Sequence, residues 1–288
     1  MNTPLTPADL VFCSSPVVRT PLLDRLAPLA DAGFRGISLQ PGDIWRLEEQ
    51  GMPDRDIAAR IADAGLVVTE IDCVGCWHDR QGRVDQIAGL TDFLRRLTPA
   101  RVVETASRIG AQSVTAIDLS ESPTPVEEAT AGFAALCDLA ADHGLKAQIE
   151  WLPVGGIRSL AQAWQIVRDA GRENGGLTID AWHFFRSGAT LDELGEIPGS
   201  RIHSVQLCDA PAAPQPDLWH ELMTARLLPG EGDLDVVGLV QTLDRIGAAV
   251  PIAIEVFHTR QDTQPLPELA RDWADATRAL LAKARGTS

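Results

Sequence analysis

Four apolar runs in the second half of this 288-residue chain end at, or next to, a side chain able to hold a cation or move a proton. Glu150 closes Ala147-Gln148-Ile149-Glu150, and Asp180 closes Leu177-Thr178-Ile179-Asp180. Gln206 lies in Val205-Gln206-Leu207, and Glu255 closes Ile252-Ala253-Ile254-Glu255. Three carboxylates aimed into one space repel one another at neutral pH unless protons or a cation sit between them. A divalent metal is the simplest such cation. Oxygen donors suit Mn2+, Mg2+ or Co2+, and the absence of cysteine from the set disfavours a closed structural zinc site. For any one of these residues alone, the alternative is a capped strand end or an arginine partner.

Further groups cluster around these four. His183 follows Asp180 by three residues and is placed to contact substrate. Arg186 and Arg226 follow the same stretch of chain, where a guanidinium fork grips carboxylate, phosphate or polyhydroxy groups, or else forms a surface ion pair. Glu70, ending Leu66-Val67-Val68-Thr69-Glu70, and Asp72 are candidates for the opposite wall, Glu70 as a substrate-binding residue.

Such groups need a scaffold that brings distant strand ends together. Short Val- and Ile-rich runs alternate with helix-period segments along the whole sequence, the pattern of βα units on a parallel sheet. Eight strands are predicted, at 10–17, 36–39, 66–72, 113–119, 146–151, 177–181, 202–208 and 252–257. Helices are predicted at 22–32, 57–64, 101–109, 126–143, 160–170, 236–246 and 269–284, with a short one at 190–194. Gly33, Gly65, Gly110, Gly144, Gly171 and Gly247 follow helix ends, where a left-handed cap favours glycine. Eight units predict an α/β fold, a (β/α)8 TIM barrel in one domain over 1–288, with catalytic groups at the C-terminal strand ends. The rival, a doubly wound open sheet, usually carries a glycine-rich phosphate loop after its first strand, and Cys13-Ser14-Ser15-Pro16 is not one. The irregular stretch 209–235 follows a strand end and is expected over the mouth of the barrel, as a lid.

Composition narrows the function. A net charge of -15 repels phosphate backbones and anionic lipid, so nucleic acid and membrane are not expected partners. No run approaches the roughly 20 apolar residues of a membrane span, and the N-terminus lacks a signal-peptide pattern, which gives a cytoplasmic expectation. Five cysteines, mostly inside apolar runs, read as reduced thiols. Cys73-Val74-Gly75-Cys76 has redox or zinc spacing but no second pair to complete four ligands.

Several passages together resemble the xylose-isomerase-like barrels, a family of sugar phosphate isomerases and epimerases, inosose isomerases and dehydratases, and 3-dehydroshikimate dehydratases. They are Ile149-Glu150-Trp151-Leu152-Pro153, the run from Ile179 to Gly188, Val205-Gln206-Leu207-Cys208-Asp209-Ala210, the run from Leu227 to Asp233, and Ile254-Glu255-Val256-Phe257. The resemblance implies a metal held by Glu150, Asp180, the Gln206 position and Glu255, with His183 and Arg226 contacting substrate. Where the family has histidine, this chain has Gln206, which resembles the variant of bacterial 3-dehydroshikimate dehydratases. His203, an odd number of residues earlier, falls on the opposite strand face.

Metal chelation of a ketone and its neighbouring hydroxyl acidifies the α-proton, and Glu150 and Glu255 are the candidate bases. A divalent-metal-dependent isomerase or epimerase acting on a sugar, sugar phosphate or cyclitol is the first expectation. A lyase that dehydrates 3-dehydroshikimate or β-eliminates from a keto sugar is the alternative. A small polyhydroxy or keto substrate is the expected partner, and a homodimer the expected assembly if the chain associates. A sugar-binding barrel without catalysis predicts no metal. An apurinic endonuclease needs clustered histidines, and the six here are scattered.

Overall fold

The computed structural model describes residues 4–78 and 90–286. Eight parallel strands close into a barrel in chain order: β1 (Leu10–Cys13), β2 (Gly36–Leu39), β3 (Val67–Val74), β4 (Ser113–Ala116), β5 (Lys146–Ile149), β6 (Gly175–Asp180), β7 (Ile202–Leu207) and β8 (Ile252–Ile254). Closure comes from β1 pairing with β8, Leu10 opposite Ile252. The (β/α)8 barrel expected from the alternation is the observed fold, and the open sheet is excluded by that closure. The six glycines expected at helix ends all have positive φ, between 65° and 84°.

The interior of the barrel is polar. Glu70 on β3 accepts hydrogen bonds from Thr115 on β4, Gln148 on β5 and Ser204 on β7, so all four side chains point to the axis. Strand side chains alternate, so two residues further along Asp72, Glu150 and Gln206 point the same way. Asp180 joins them because it is level with Gln206. Val11, Cys13 and Ala253 form a small apolar cluster of their own, apart from the large core between sheet and helices. A barrel of this class is ordinarily filled by branched aliphatic side chains. Here serine, threonine, glutamine and carboxylates replace most of them.

Most strands, though not β2 or β3, are shorter at their C-terminal ends than the apolar runs suggested. β1 stops at Cys13 rather than 17, β4 at Ala116 rather than 119, and β8 at Ile254 rather than 257. Helix Pro41–Glu49 was not expected; Pro41 opens it with φ already helical, where its missing N–H costs nothing. It is tied to helix Leu22–Asp31 by a bidentate Arg25–Asp43 pair, Nη1–Oδ2 2.7 Å and Nη2–Oδ1 2.8 Å, with both side chains buried. No described helix is long and apolar enough to cross a membrane.

Removing one partner of a buried ion pair leaves an unanswered charge. Arg25→Met is therefore expected to destabilise the protein by about 3 kcal/mol. Urea denaturation measures this, and a change under about 0.5 kcal/mol would contradict the role given to the pair.

Candidate active site

The β5–β8 ends bring the four sequence-predicted donors to one place. Asp180 is both the last residue of β6 and the N-cap of helix Ala181–Arg186. Its Oδ1 accepts the His183 backbone N–H at 2.7 Å, and its Oδ2 accepts Arg226 Nη1 at 2.8 Å. Glu150 follows β5 directly, its N–H still bonded to Ala116 at 3.0 Å. Glu255 holds the same place after β8, bonded to Leu207 at 3.1 Å. His183 sits in the first turn of its helix and brings Nε2 to 3.4 Å from Glu150 Oε1.

Gln206 is wholly buried, yet neither its amide nitrogen nor its amide oxygen has a hydrogen-bond partner among the described residues. An amide left unpaired in the interior costs roughly 1–3 kcal/mol, so its survival at the level of Asp180 marks a position where something else is to be bound.

Charge in the site is unbalanced. Burial pushes the Glu150 carboxyl well above the usual carboxylate range, and the Asp180 charge adds to this. Burial raises Glu255 to about 8 even though the Arg226 guanidinium opposes the shift. Asp72, facing Glu150 and Glu255, is likewise raised by burial first and by those charges second. Burial pushes His183 down to about 4, so the imidazole is neutral and supplies no cation. Arg226 does. Burial works against its charge, but Asp180 and Glu255 hold its pKa above the ordinary arginine value. Its Nη1 also lies 3.4 Å from Glu255 Oε2, and the guanidinium packs near the rings of Trp182 and Phe257.

One guanidinium for four mouth carboxylates leaves room for a further cation, and the donors fit one. A ligand atom from each of Glu150, Asp180 and His183 lies within 4.8 Å of the others. His183, expected from sequence as a substrate contact, thus also lies close enough to Glu150 and Asp180 to share a cation with them. The arginine-pairing alternative also holds in part, since Asp180 and Glu255 both meet Arg226.

The other sequence candidates lie apart from this centre. Glu70 is one layer below the mouth, its carboxyl raised by burial and eased back by the hydrogen bonds of Thr115, Ser204 and Gln148; it lines a cavity at the N-terminal end instead. β3 runs on to Val74, so Asp72, the other residue expected on that wall, stands at the rim level and Glu70 one layer below it. His203 borders the same N-terminal cavity. Arg186 is taken up by Glu221 (2.6 Å) and the Pro211 carbonyl (2.6 Å). The cysteines are all free, and Cys76 donates to the Leu94 carbonyl at 3.1 Å.

Segment 209–235 does cover the mouth, and it is not irregular throughout. It contains helix Leu218–Thr224 and is held by two isolated bridges, Asp209–Leu227 and Ala225–His258. Glu221 anchors it from beneath by accepting Trp182 Nε1 at 2.9 Å. A cavity of about 330 Å3 opens between this segment and the strand ends, floored by Asp72, Glu150, His183, Arg226 and Glu255.

Comparison with known proteins agrees with this geometry. A family model described as xylose isomerase-like TIM barrel matches residues 26–282. A 3-dehydroshikimate dehydratase of Pseudomonas aeruginosa is 28% identical over 247 residues, covering 82% of this chain and 36% of that protein. The chain therefore spans little more than a third of that relative's length. An inosose isomerase of Bacillus licheniformis is 27% identical over 189 residues, 63% of this chain and 67% of that protein. The crystal structure of the IOLI protein with a binding zinc atom superposes with a TM-score of 0.83 at 20% identity, covering 96% of this chain and 99% of that one.

The raised carboxyls tie stability to pH. Glu255 titrates at about 8 when folded, against 4.5 for the free group, so the folded chain binds more protons than the unfolded chain between those values. Stability then falls as pH rises. His183 and His203, both lowered to about 4, act in the opposite sense but only below their unfolded value of 6.5. Between about pH 6.5 and 8 the metal-stripped protein should lose up to about 1.4 kcal/mol per pH unit for each titrating carboxyl. Thermal denaturation with and without Mn2+ reads this out: the slope flattens with metal, and a melting temperature that rises across the window without metal contradicts it.

Proposed function

The chain belongs to the xylose isomerase-like TIM barrel family, and from that premise we propose that it is a divalent-metal-dependent isomerase or epimerase of a sugar or cyclitol ketone. The observation that carries this reading is that Glu150 and Glu255 face one cavity from β5 and β8, with Asp180 and Gln206 on the strands between them. Two carboxyls on opposite sides of a bound ketone can take a proton from one carbon and return one to the other face or to the adjacent carbon.

Glu150, Asp180, Gln206 and Glu255 would hold the metal, with His183 at its edge. The metal would polarise the ketone and stabilise the negative charge that develops as the α-proton leaves. The remaining work falls to the chain. Asp180 is fixed by the His183 N–H and by Arg226, so its position does not depend on substrate. Arg226 lines the cavity while paired with Asp180 and Glu255, so its positive charge stands near the oxygen that gains charge. His183, neutral and next to Glu150 Oε1, orients that carboxyl toward the carbon-bound proton. The segment over the mouth keeps bulk water from quenching the carbanion.

Dehydration is the second reading, favoured by Gln206 and by the dehydratase relative that aligns over 82% of this chain. The first step is the same. A carbon–oxygen bond then breaks at the β-position, a carbon–carbon double bond forms, and the hydroxyl departs as water with a proton from Glu255.

Incubating the Mn2+-loaded protein in D2O with inososes, keto sugars and 3-dehydroshikimate separates the two. Deuterium at the α-carbon with a new isomer and no chromophore is the expected result; an aromatic absorbance appearing from 3-dehydroshikimate overturns the isomerase in favour of the lyase. Glu150→Gln and Glu255→Gln should each slow exchange roughly a hundredfold or more while leaving circular dichroism unchanged. Full activity in both removes the assignment. Gln206→His should keep the metal through dialysis, and its loss would argue against a donor role for Gln206.

A further inference from the structure

The cavity above the carboxylates changes character with height. Its floor is charged, but its wall is a collar of apolar side chains: Ile117 and Leu119 from the loop after β4, Leu152 after β5, Trp219 and Met223 from helix Leu218–Thr224, and Phe257 after β8. Four of these six, Ile117, Leu119, Trp219 and Met223, pack against the core yet remain partly open to the cavity. Among the described residues that line it, Arg226 is the one cation, and its Nη1 is committed to Asp180 and Glu255. A small polyol standing on the floor would leave the collar facing water.

We infer that the substrate is amphiphilic: a polyhydroxy ketone ring that carries an apolar aryl or alkyl group. The oxygenated ring rests on the carboxylate floor, and the apolar group fills the collar between Leu152 and the Trp219–Met223 face. This rests on the reading of the floor as an enolising site. It departs from a substrate class of free sugars and sugar phosphates, because the area given to apolar contact lies on the path into the site. Each apolar surface removed from water on binding adds to affinity, and a phenyl-sized group that covers roughly 100 Å2 should strengthen binding roughly tenfold or more.

Methyl and phenyl 3-keto-β-D-glucopyranosides test this, titrated calorimetrically into the full Mn2+-loaded chain. The phenyl compound is expected to bind at least tenfold more tightly. Trp219→Gln and Met223→Gln should each cut that preference to below threefold while leaving the methyl compound's Kd unchanged. A wild-type preference below threefold, or no binding of either glycoside, overturns the inference. Exchange of the α-proton of the methyl compound in D2O, followed by NMR, keeps the two readings apart. Exchange without phenyl preference sinks the collar and spares the floor; phenyl preference with neither exchange nor metal retention sinks the floor and spares the collar.

Discussion

Five carboxylates, Glu70, Asp72, Glu150, Asp180 and Glu255, share the axis of one barrel, and among the described residues a single guanidinium, that of Arg226, lies between them. Their closeness is imposed by the closed sheet, which sends every second side chain inward whatever its charge. The molecule meets that constraint differently at each level. Glu70 is surrounded by hydroxyls and an amide. Asp180 is held by a helix N-terminus and by Arg226. Burial raises the carboxyls of Glu150, Asp72 and Glu255, and the mouth is where a bound cation would relieve their mutual repulsion.

The architecture was readable because its signals are local. Eight apolar runs, helix-period segments between them and glycines at helix ends depend on neighbours in sequence, and each matches the closed barrel. The gathering of Glu150, Asp180, Gln206 and Glu255 at one end was readable for a related reason: they end or adjoin apolar runs, and a parallel barrel collects strand ends at one face. The helical setting of His183 was not readable, because it depends on Asp180 capping that helix with no turn residue in between.

What sequence did not reveal depends on contacts between distant segments. Nothing near Arg226 says that it will be buried between Asp180 and Glu255, 46 and 29 positions away. Glu70 and Asp72 differ by one layer of the barrel, a difference set by the register of β3 against β4. The overlong strands have a shared cause. Ile117, Leu119 and Phe257 continue apolar runs beyond the ends of β4 and β8, so periodicity reads them as strand. They are wall residues of the cavity instead.

Closure of β1 onto β8 also orders events in time. Leu10 emerges early in synthesis and pairs first toward β2, through the Arg35 N–H, but its other side has no strand partner until Ile252 has been made. Glu255, three residues later, is the last donor to arrive, and Arg226 is in place only when its N–H can bond to Phe257. On the proposed reading, metal capture follows barrel closure, because Glu255 lies beyond β8 and is made after Glu150, Asp180 and Gln206.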